Sequence, residues 1–338
     1  MDDNIFRQSI LSYSAQIGCD PLIVQGAGGN ISWKQDDTLW VKASGMWLAD
    51  ALKNEIFVPV SLSELRTSIS AGDFETLPAA QDSSLLRPSI ETLLHAIMPQ
   101  RVVVHVHAIE VLARLVRKDN DAELMSLVDP QFSYVTVDYQ KPGAALALAV
   151  NKHLISGITP DIVLMKNHGV VIGADSIQEI DVILKSLLAN FRITQTLTCV
   201  APIKKSSVTP LTGYIPVPDS EINLLATHEH LFSRLSRDWV LYPDHVVFLG
   251  PAPYTFKTME ALNAFAVSGD DLADVVFVEN EGVFVLESIN KARLQQLRCY
   301  YDVLVRQPYD NILRCLTSDE IGELLNWDAE KYRMRIAK

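Results

Sequence analysis

The sequence predicts a mixed α/β protein built in two parts. Segments with helical spacing alternate with β-branched runs through residues 1–200. The pattern stops at residues 201–218, where most of KKSSVTPLTGYIPVPDS supplies the Pro, Gly and Ser of a linker. Residues 219–338 then carry degraded copies of earlier segments. PDIVLMKNHGV aligns with ADVVFVENEGV through Asp161/Asp274, Val163/Val276, Asn167/Asn280, Gly169/Gly282 and Val170/Val283.

In chain order, residues 4–17 have the spacing of an amphipathic helix, QGAGGNIS (25–32) is a glycine-rich turn, and TLWVKASG (38–45) is a strand running into a second turn. SLSELRTSIS opens a short helix, with Ser61 as N-cap and Glu64 three residues on. RPSIETLLHAIM (87–98) reads as a helix with proline near its start, followed by Ile90, Leu93, Leu94 and Ile97. RVVVHVHAIE is a strand, because Val102, Val103, Val104 and Val106 are β-branched. A helix is expected near 109–118, a strand at 132–139 and a helix at 143–155. Two strands around an NHG turn follow at 160–173, then a long helix at 176–196. A second echo pairs MPQRVVVHVHA with YPDHVVFLGPA, which makes 242–252 a strand, and LTSDEIGELLNWDAEKYR reads as a closing pair of helices.

The 338 residues are enough for two domains and a substantial core. A hydrophobic content of 48% fits a folded globular protein. The net charge of −12 argues against a general binder of nucleic acid or anionic membrane, so an anionic substrate needs a local cationic pocket. Cys19, Cys199, Cys299 and Cys315 are widely spaced, which suits reduced thiols rather than a disulfide framework. The N-terminus MDDNIFRQSI does not read as a signal peptide, and no apolar run reaches the ~18 residues of a spanning helix. A cytoplasmic location is expected on these grounds.

The chemistry concentrates on three imidazoles. Side chains at i and i+2 of a strand share a face, so His105 and His107 look the same way, roughly 6.5 Å apart along the strand. Both nitrogens of such a pair can converge on one ion, and His168 in the NHG turn is a third donor. Three imidazoles with an open position fit a catalytic zinc site, though another divalent transition metal suits the same donors. Glu91 is the candidate acid/base, since a carboxylate beside a metal-bound carbonyl can exchange a carbon-bound proton. Gly28, Gly29 and the Asn30 amide could offer N–H donors to an oxyanion, as could Ser44 and Gly45, with Lys42 or Arg87 adding charge. In the second part, His105, His107 and His168 are replaced by Leu249, Pro251 and Glu281.

The ordered series GAGGNIS, VKASG, PSIETLLH, HVHA, DYQKPG and NHGVVIG resembles the class II aldolase/adducin family over roughly residues 1–200. The R-P-S-I-E-T and V-K-A-S-G variants look most like the aldolase portion of longer rhamnulose-phosphate-aldolase-like bacterial proteins, which also carry a dehydrogenase domain. The resemblance implies an α/β/α sandwich around a mainly antiparallel sheet, with zinc on the three histidines and Glu91 as acid/base. It implies that Gly29, Asn30, Ser44, Gly45 and Ser89 hold the substrate's phosphate and oxygen atoms, and matches Tyr139 to a tyrosine that assists aldehyde protonation. Many family aldolases have two serines before the glutamate; the run here is Ser89-Ile90-Glu91, one donor fewer.

The expected activity is metal-dependent cleavage of a ketose phosphate to a dihydroxyacetone-phosphate-type product and an aldehyde. Sugar-phosphate 4-epimerisation and oxo-acid decarboxylation use the same site. A non-catalytic adducin-like scaffold is the alternative from another class, and the one that suits residues 219–338, where the ligands are lost. The partner is a small sugar phosphate. A homo-oligomer is expected, either a tetramer or a pseudo-fourfold dimer.

Overall fold

The structure, a computed structural model, describes residues 3–76, 79–81, 86–193, 211–267 and 273–336. The first half runs α1 (Asp3–Gly18), β1 (Asn30–Gln35), β2 (Thr38–Lys42), β3 (Phe57–Ser61), α2 (Leu62–Ser70), α3 (Thr92–Ile97), β4 (Val102–Val106), α4 (Ile109–Leu115), α5 (Asp121–Leu127), β5 (Tyr134–Val137), α6 (Ala144–Ile155), β6 (Ile162–Met165), β7 (Gly169–Ala174) and α7 (Ile177–Asn190). The second runs β8 (Tyr214–Pro216), α8 (Leu224–Thr227), α9 (Glu229–Arg237), α10 (Pro243–Leu249), β9 (Tyr254–Phe256), α11 (Met259–Val267), β10 (Val275–Val278), β11 (Gly282–Leu286), α12 (Lys291–Leu304), α13 (Ser318–Leu325) and α14 (Asp328–Ile336).

The first seven strands form one sheet in the order β3-β2-β1-β4-β7-β6-β5, antiparallel except for the parallel pair β5–β6. Both faces are covered, which gives the α/β/α sandwich. Alternation along β4 divides the layers: Val102, Val104 and Val106 join the core under α1 and α7, while Val103 joins the core with Leu94 of α3 and Leu146 of α6. His105 and His107 share the parity of Val103 and therefore face the α3 side.

The second sheet has the order β8-β11-β10-β9. Like β5–β6, β9–β10 is a parallel pair around a helix, and an antiparallel hairpin and a long helix follow in both halves. The two halves share a core. Ile109, Leu112 and Val116 of the first half pack with Leu241, Leu297, Tyr300 and Leu304 of the second. Gln307 Nε2 also donates to Ala113 O at 2.7 Å.

Several local expectations are corrected. The apolar run HVVFL is helix α10 rather than a strand, with Pro243 at its first turn, so Leu249 and Pro251 are not strand equivalents of His105 and His107. The expected linker contains β8, paired with β11; its residues 201–210, and Cys199, lie outside the described residues. The helix expected over 87–98 is only α3. Residues 87–89 are drawn out to bridge the second turn, with Ser44 N donating to Arg87 O and Ser89 N to Lys42 O. Among the described residues, no helix is long and apolar enough to cross a membrane.

Candidate metal centre

Sheet register assembles the site. Antiparallel pairing sets the end of β4 beside the start of β7, with Val106 opposite Val170, so His107 meets the turn that carries His168. The start of β1 lies on the other side, with Asn30 opposite His105. The turn itself depends on Asn167, which holds φ 55° and donates its amide to Leu241 O at 2.8 Å and Arg314 O at 2.7 Å. Gly169 is needed for space, because a Cβ there would lie 2.6 Å from Val106 O and 3.2 Å from the His105 ring.

His105, His107 and His168 are buried and have donor nitrogens within 4.8 Å of one another, the one such group of His, Cys and acidic residues among the described residues. Nε2 of His107 lies 3.0 Å from Nε2 of His105. His105 donates Nδ1–H to Val170 O at 3.0 Å, which leaves its Nε2 lone pair free. Burial pushes His107 and His168 down to about 3, outweighing the nearby carboxylates Asp244 and Glu91, so both rings are neutral at pH 7 as ligation requires. Neither Nδ1 of His168 nor Oε1 of Glu91 has a hydrogen-bond partner among the described residues. Two ring nitrogens in close approach beside a carboxylate oxygen that makes no hydrogen bond fit a divalent cation such as zinc, which binds imidazole nitrogen and carboxylate oxygen.

Glu91 is at the N-cap of α3 rather than inside the helix expected over 87–98. Its Oε2 accepts from Asn30 Nδ2 at 2.8 Å and lies 3.5 Å from His105 Nε2; Oε1 lies 3.4 Å from His168 Nε2. Ser89 Oγ accepts from the Glu91 amide at 3.2 Å. Burial raises the carboxyl, but its electrostatic interactions with His105, His168 and the Arg333 guanidinium outweigh that and hold Glu91 below the usual carboxylate range.

Of the expected anion-binding residues, Gly29, Asn30, Lys42, Ser44, Gly45 and Ser89 line one pocket with Glu91, His107 and His168. Gly29 and Gly45 have φ of 64° and 80°, which glycine adopts freely. Two expected cations are engaged elsewhere. Lys42 Nζ donates to Ala27 O at 3.0 Å and Met46 O at 2.6 Å, tying the two glycine turns together, and burial pushes it down to about 7. Arg87 is exposed and stacks over Tyr332 at 4.5 Å. Tyr139 is also absent from the pocket lining; its ring lies under the Arg314 guanidinium at 5.1 Å, against the second half.

The pocket has further walls that sequence reasoning missed: Asp244 of α10 and Glu330 and Arg333 of α14. Arg333 binds Asp244 through both terminal nitrogens, at 2.5 and 2.8 Å, and Glu330 Oε2 at 3.3 Å. Gly45 leaves room for Ile336, whose Cβ would be 2.7 Å from a Cβ at that position. The void left between these groups is about 30 Å³, room for a water or two and far below the roughly 300 Å³ of an ordinary ligand pocket. α14 therefore closes the site in this arrangement.

Residues 9–184 match the family described as class II aldolase and adducin N-terminal domain. A curated relative, the uncharacterized oxidoreductase YuxG of Bacillus subtilis strain 168, is 29% identical over 180 residues; the alignment spans 48% of this chain but only 26% of the relative. Among solved structures, the N-terminal class II aldolase domain of a conserved protein from Thermoplasma acidophilum is similar at 24% identity, covering 54% of this chain and 90% of that one with a TM-score of 0.46. A sugar-phosphate aldolase from Thermotoga maritima is similar at 16% identity, covering 56% and 95% with a TM-score of 0.43. The family match spans a little more than half of the sequence and takes in both glycine turns, Glu91 and all three histidines: this chain belongs to the class II aldolase and adducin N-terminal domain family.

Proposed function

We propose that the protein is a metal-dependent carbon–carbon lyase that cleaves a ketose phosphate to a dihydroxyacetone-phosphate-type product and an aldehyde. One observation carries this reading: three buried imidazoles, a carboxylate oxygen with no hydrogen-bond partner among the described residues and two glycine turns lie together at one pocket. A divalent cation, zinc by preference, would be held by His105, His107 and His168 and would supply a Lewis acid that stabilises enediolate charge.

The chain's own groups do the rest. Gly29, Asn30, Ser44, Gly45 and Ser89 bind the substrate's phosphate and oxygen atoms. Asn30 also orients the acid/base. Its amide holds Glu91 Oε2, leaving Oε1 free to return a proton to the substrate carbon or remove it in reverse. Tyr139 stands outside this set, because its ring is turned toward Arg314. Access to the pocket takes a movement of α14. Epimerisation and decarboxylation draw on the same groups and remain the second reading of this site.

Residues 1–200 form the catalytic part in this proposal. Residues 219–338 are an accessory, degenerate aldolase-like part that closes the pocket, and the protein works in the cytoplasm as a homo-oligomer. The test is a panel of ketose phosphates and oxo-acids presented to zinc-loaded protein, with product analysis. Release of an aldehyde and a three-carbon ketone phosphate is the expected result. Carbon dioxide release or epimer formation alone would replace cleavage by the second reading.

A further inference from the structure

Asp244 is buried, negatively charged and supplied by the half of the chain that has none of the three clustered histidines. It is held by four contacts. Arg333 binds both carboxylate oxygens, Gln296 Nε2 donates to Oδ2 at 3.3 Å, and His107 Nδ1 lies 3.5 Å from the same oxygen. The other side of the His107 ring presents Nε2 to His105 Nε2 at 3.0 Å. Each of these two rings thus has one nitrogen turned outward to an oxygen acceptor, Val170 O for His105 and Asp244 Oδ2 for His107.

Gly28 makes the second approach possible. Its φ is not in the left-handed region, so backbone freedom does not explain it. A Cβ at this position would lie 3.1 Å from both Asp244 Oδ2 and His107 Nδ1, wedged into the gap between them. The glycine turn of the first half is hollowed where the second half's carboxylate reaches the ring.

We propose that Asp244 is a positioning residue for the metal site, whose carboxylate keeps the His107 proton on Nδ1 and the Nε2 lone pair facing the cation. The general physics is that of a ligating imidazole whose outer nitrogen donates to a carboxylate, which fixes ring orientation and raises ligand basicity. The inference rests on the reading that the three histidines hold a cation. It gives the second half a part in the chemistry although its own copy of the hairpin has no imidazole. Arg333 of α14 and Gln296 of α12 also contact the Asp244 carboxylate.

The test uses the full chain and zinc alone, with affinity measured by competition against a chelating dye and folding by thermal denaturation of the metal-free protein. Asp244→Leu removes the acceptor but strands the Arg333 charge. The paired variant Asp244→Leu/Arg333→Met removes both charges, a replacement that buried ion pairs generally tolerate. Arg333→Met alone keeps the carboxylate. The expected result is a loss of about 10- to 100-fold in zinc affinity for the paired variant, with metal-free melting close to the parent, and near-parent affinity for Arg333→Met. A folded paired variant that binds zinc as tightly as the parent overturns the inference while leaving the three-histidine site standing. So does an affinity that simply follows melting temperature across the three variants. A parent protein that takes up no zinc overturns the site and the inference together.

Discussion

The two hairpins of this chain are nearly the same backbone with different contents. In β6–β7, Met165 pairs with Gly169, Asn167 holds φ 55°, and His168 N donates to Met165 O at 3.1 Å. In β10–β11, Val278 pairs with Gly282, Asn280 holds φ 60°, and Glu281 N donates to Val278 O at 3.0 Å. An Asn-x-Gly turn needs only the left-handed tolerance of Asn and the bare Cα of Gly, so the middle position is free to differ. The neighbouring strand decides what the turn can do. β7 lies beside β4, which brings His105 and His107; β11 lies beside the short β8, Tyr214-Ile215-Pro216, which brings no ligand. Shared geometry is therefore a scaffold property, and chemistry requires the strand next door.

Exchanging the contents of the two turns should have the greatest consequence. His168→Ala should abolish tight zinc binding, whereas Glu281→His should create no second site; both are read by metal titration of the full chain. Stoichiometric zinc on the His168→Ala chain would show that the turn is not a ligand position. Next in size, Glu91→Gln should retain zinc and slow solvent exchange of the substrate's carbon-bound proton by about 10²- to 10⁴-fold. Deuterium incorporation followed by mass spectrometry measures this, and exchange at the parent rate would remove Glu91 from the chemistry.

A smaller effect separates the two asparagines. Asn167 is fully buried and its amide ties the first half to Leu241 and Arg314, while Asn280 is exposed. Glycine keeps the turn conformation at both positions. Asn167→Gly should therefore cost about 1–3 kcal/mol by leaving buried carbonyls unpaired, and Asn280→Gly should stay within about 0.5 kcal/mol. Chemical denaturation decides it; equal losses would mean the side-chain bonds between the halves contribute nothing.

A separate effect, read on pH rather than by loss of a contact, is seated in the first sheet. Lys34 of β1 donates to Met98 O and Gln100 O, both at 2.7 Å, and burial with Arg66 nearby pushes it down to about 7. Unfolded, the amine keeps its proton up to about 10.4. Between these values the unfolded chain binds more protons, so this group's penalty is full below pH 7 and is relieved as pH rises. Lys34→Met should flatten that part of the stability–pH curve. An unchanged slope would show that Lys34 stays protonated in the fold.

Much of this was legible from local pattern. The i, i+2 spacing of His105 and His107 survives any error in strand ends, and the NHG turn sits between two β-branched runs. Ser61 caps α2 as its position predicts, with Oγ accepting from Glu64 N at 3.2 Å. β3 escaped notice because Pro59 interrupts it, yet β3 is an edge strand, where proline costs no ladder bond. β8 escaped for the same reason, with Pro216 on the other sheet's edge. Asp244, Glu330 and Arg333 were hidden by distance along the chain. Asp244 also begins a short, largely apolar stretch whose type periodicity cannot settle, and Pro243 tips it to helix. For Lys42 the sequence shows a charge but not the two carbonyls that accept from it.

X-ray absorption at the zinc edge of the reconstituted full chain tests the proposed three-histidine site directly. Three imidazole nitrogens about 2.0–2.1 Å from a single zinc, reduced in number when His105 is replaced by alanine, is the predicted result. A zinc shell of oxygen alone, or one unaltered by that replacement, would contradict it.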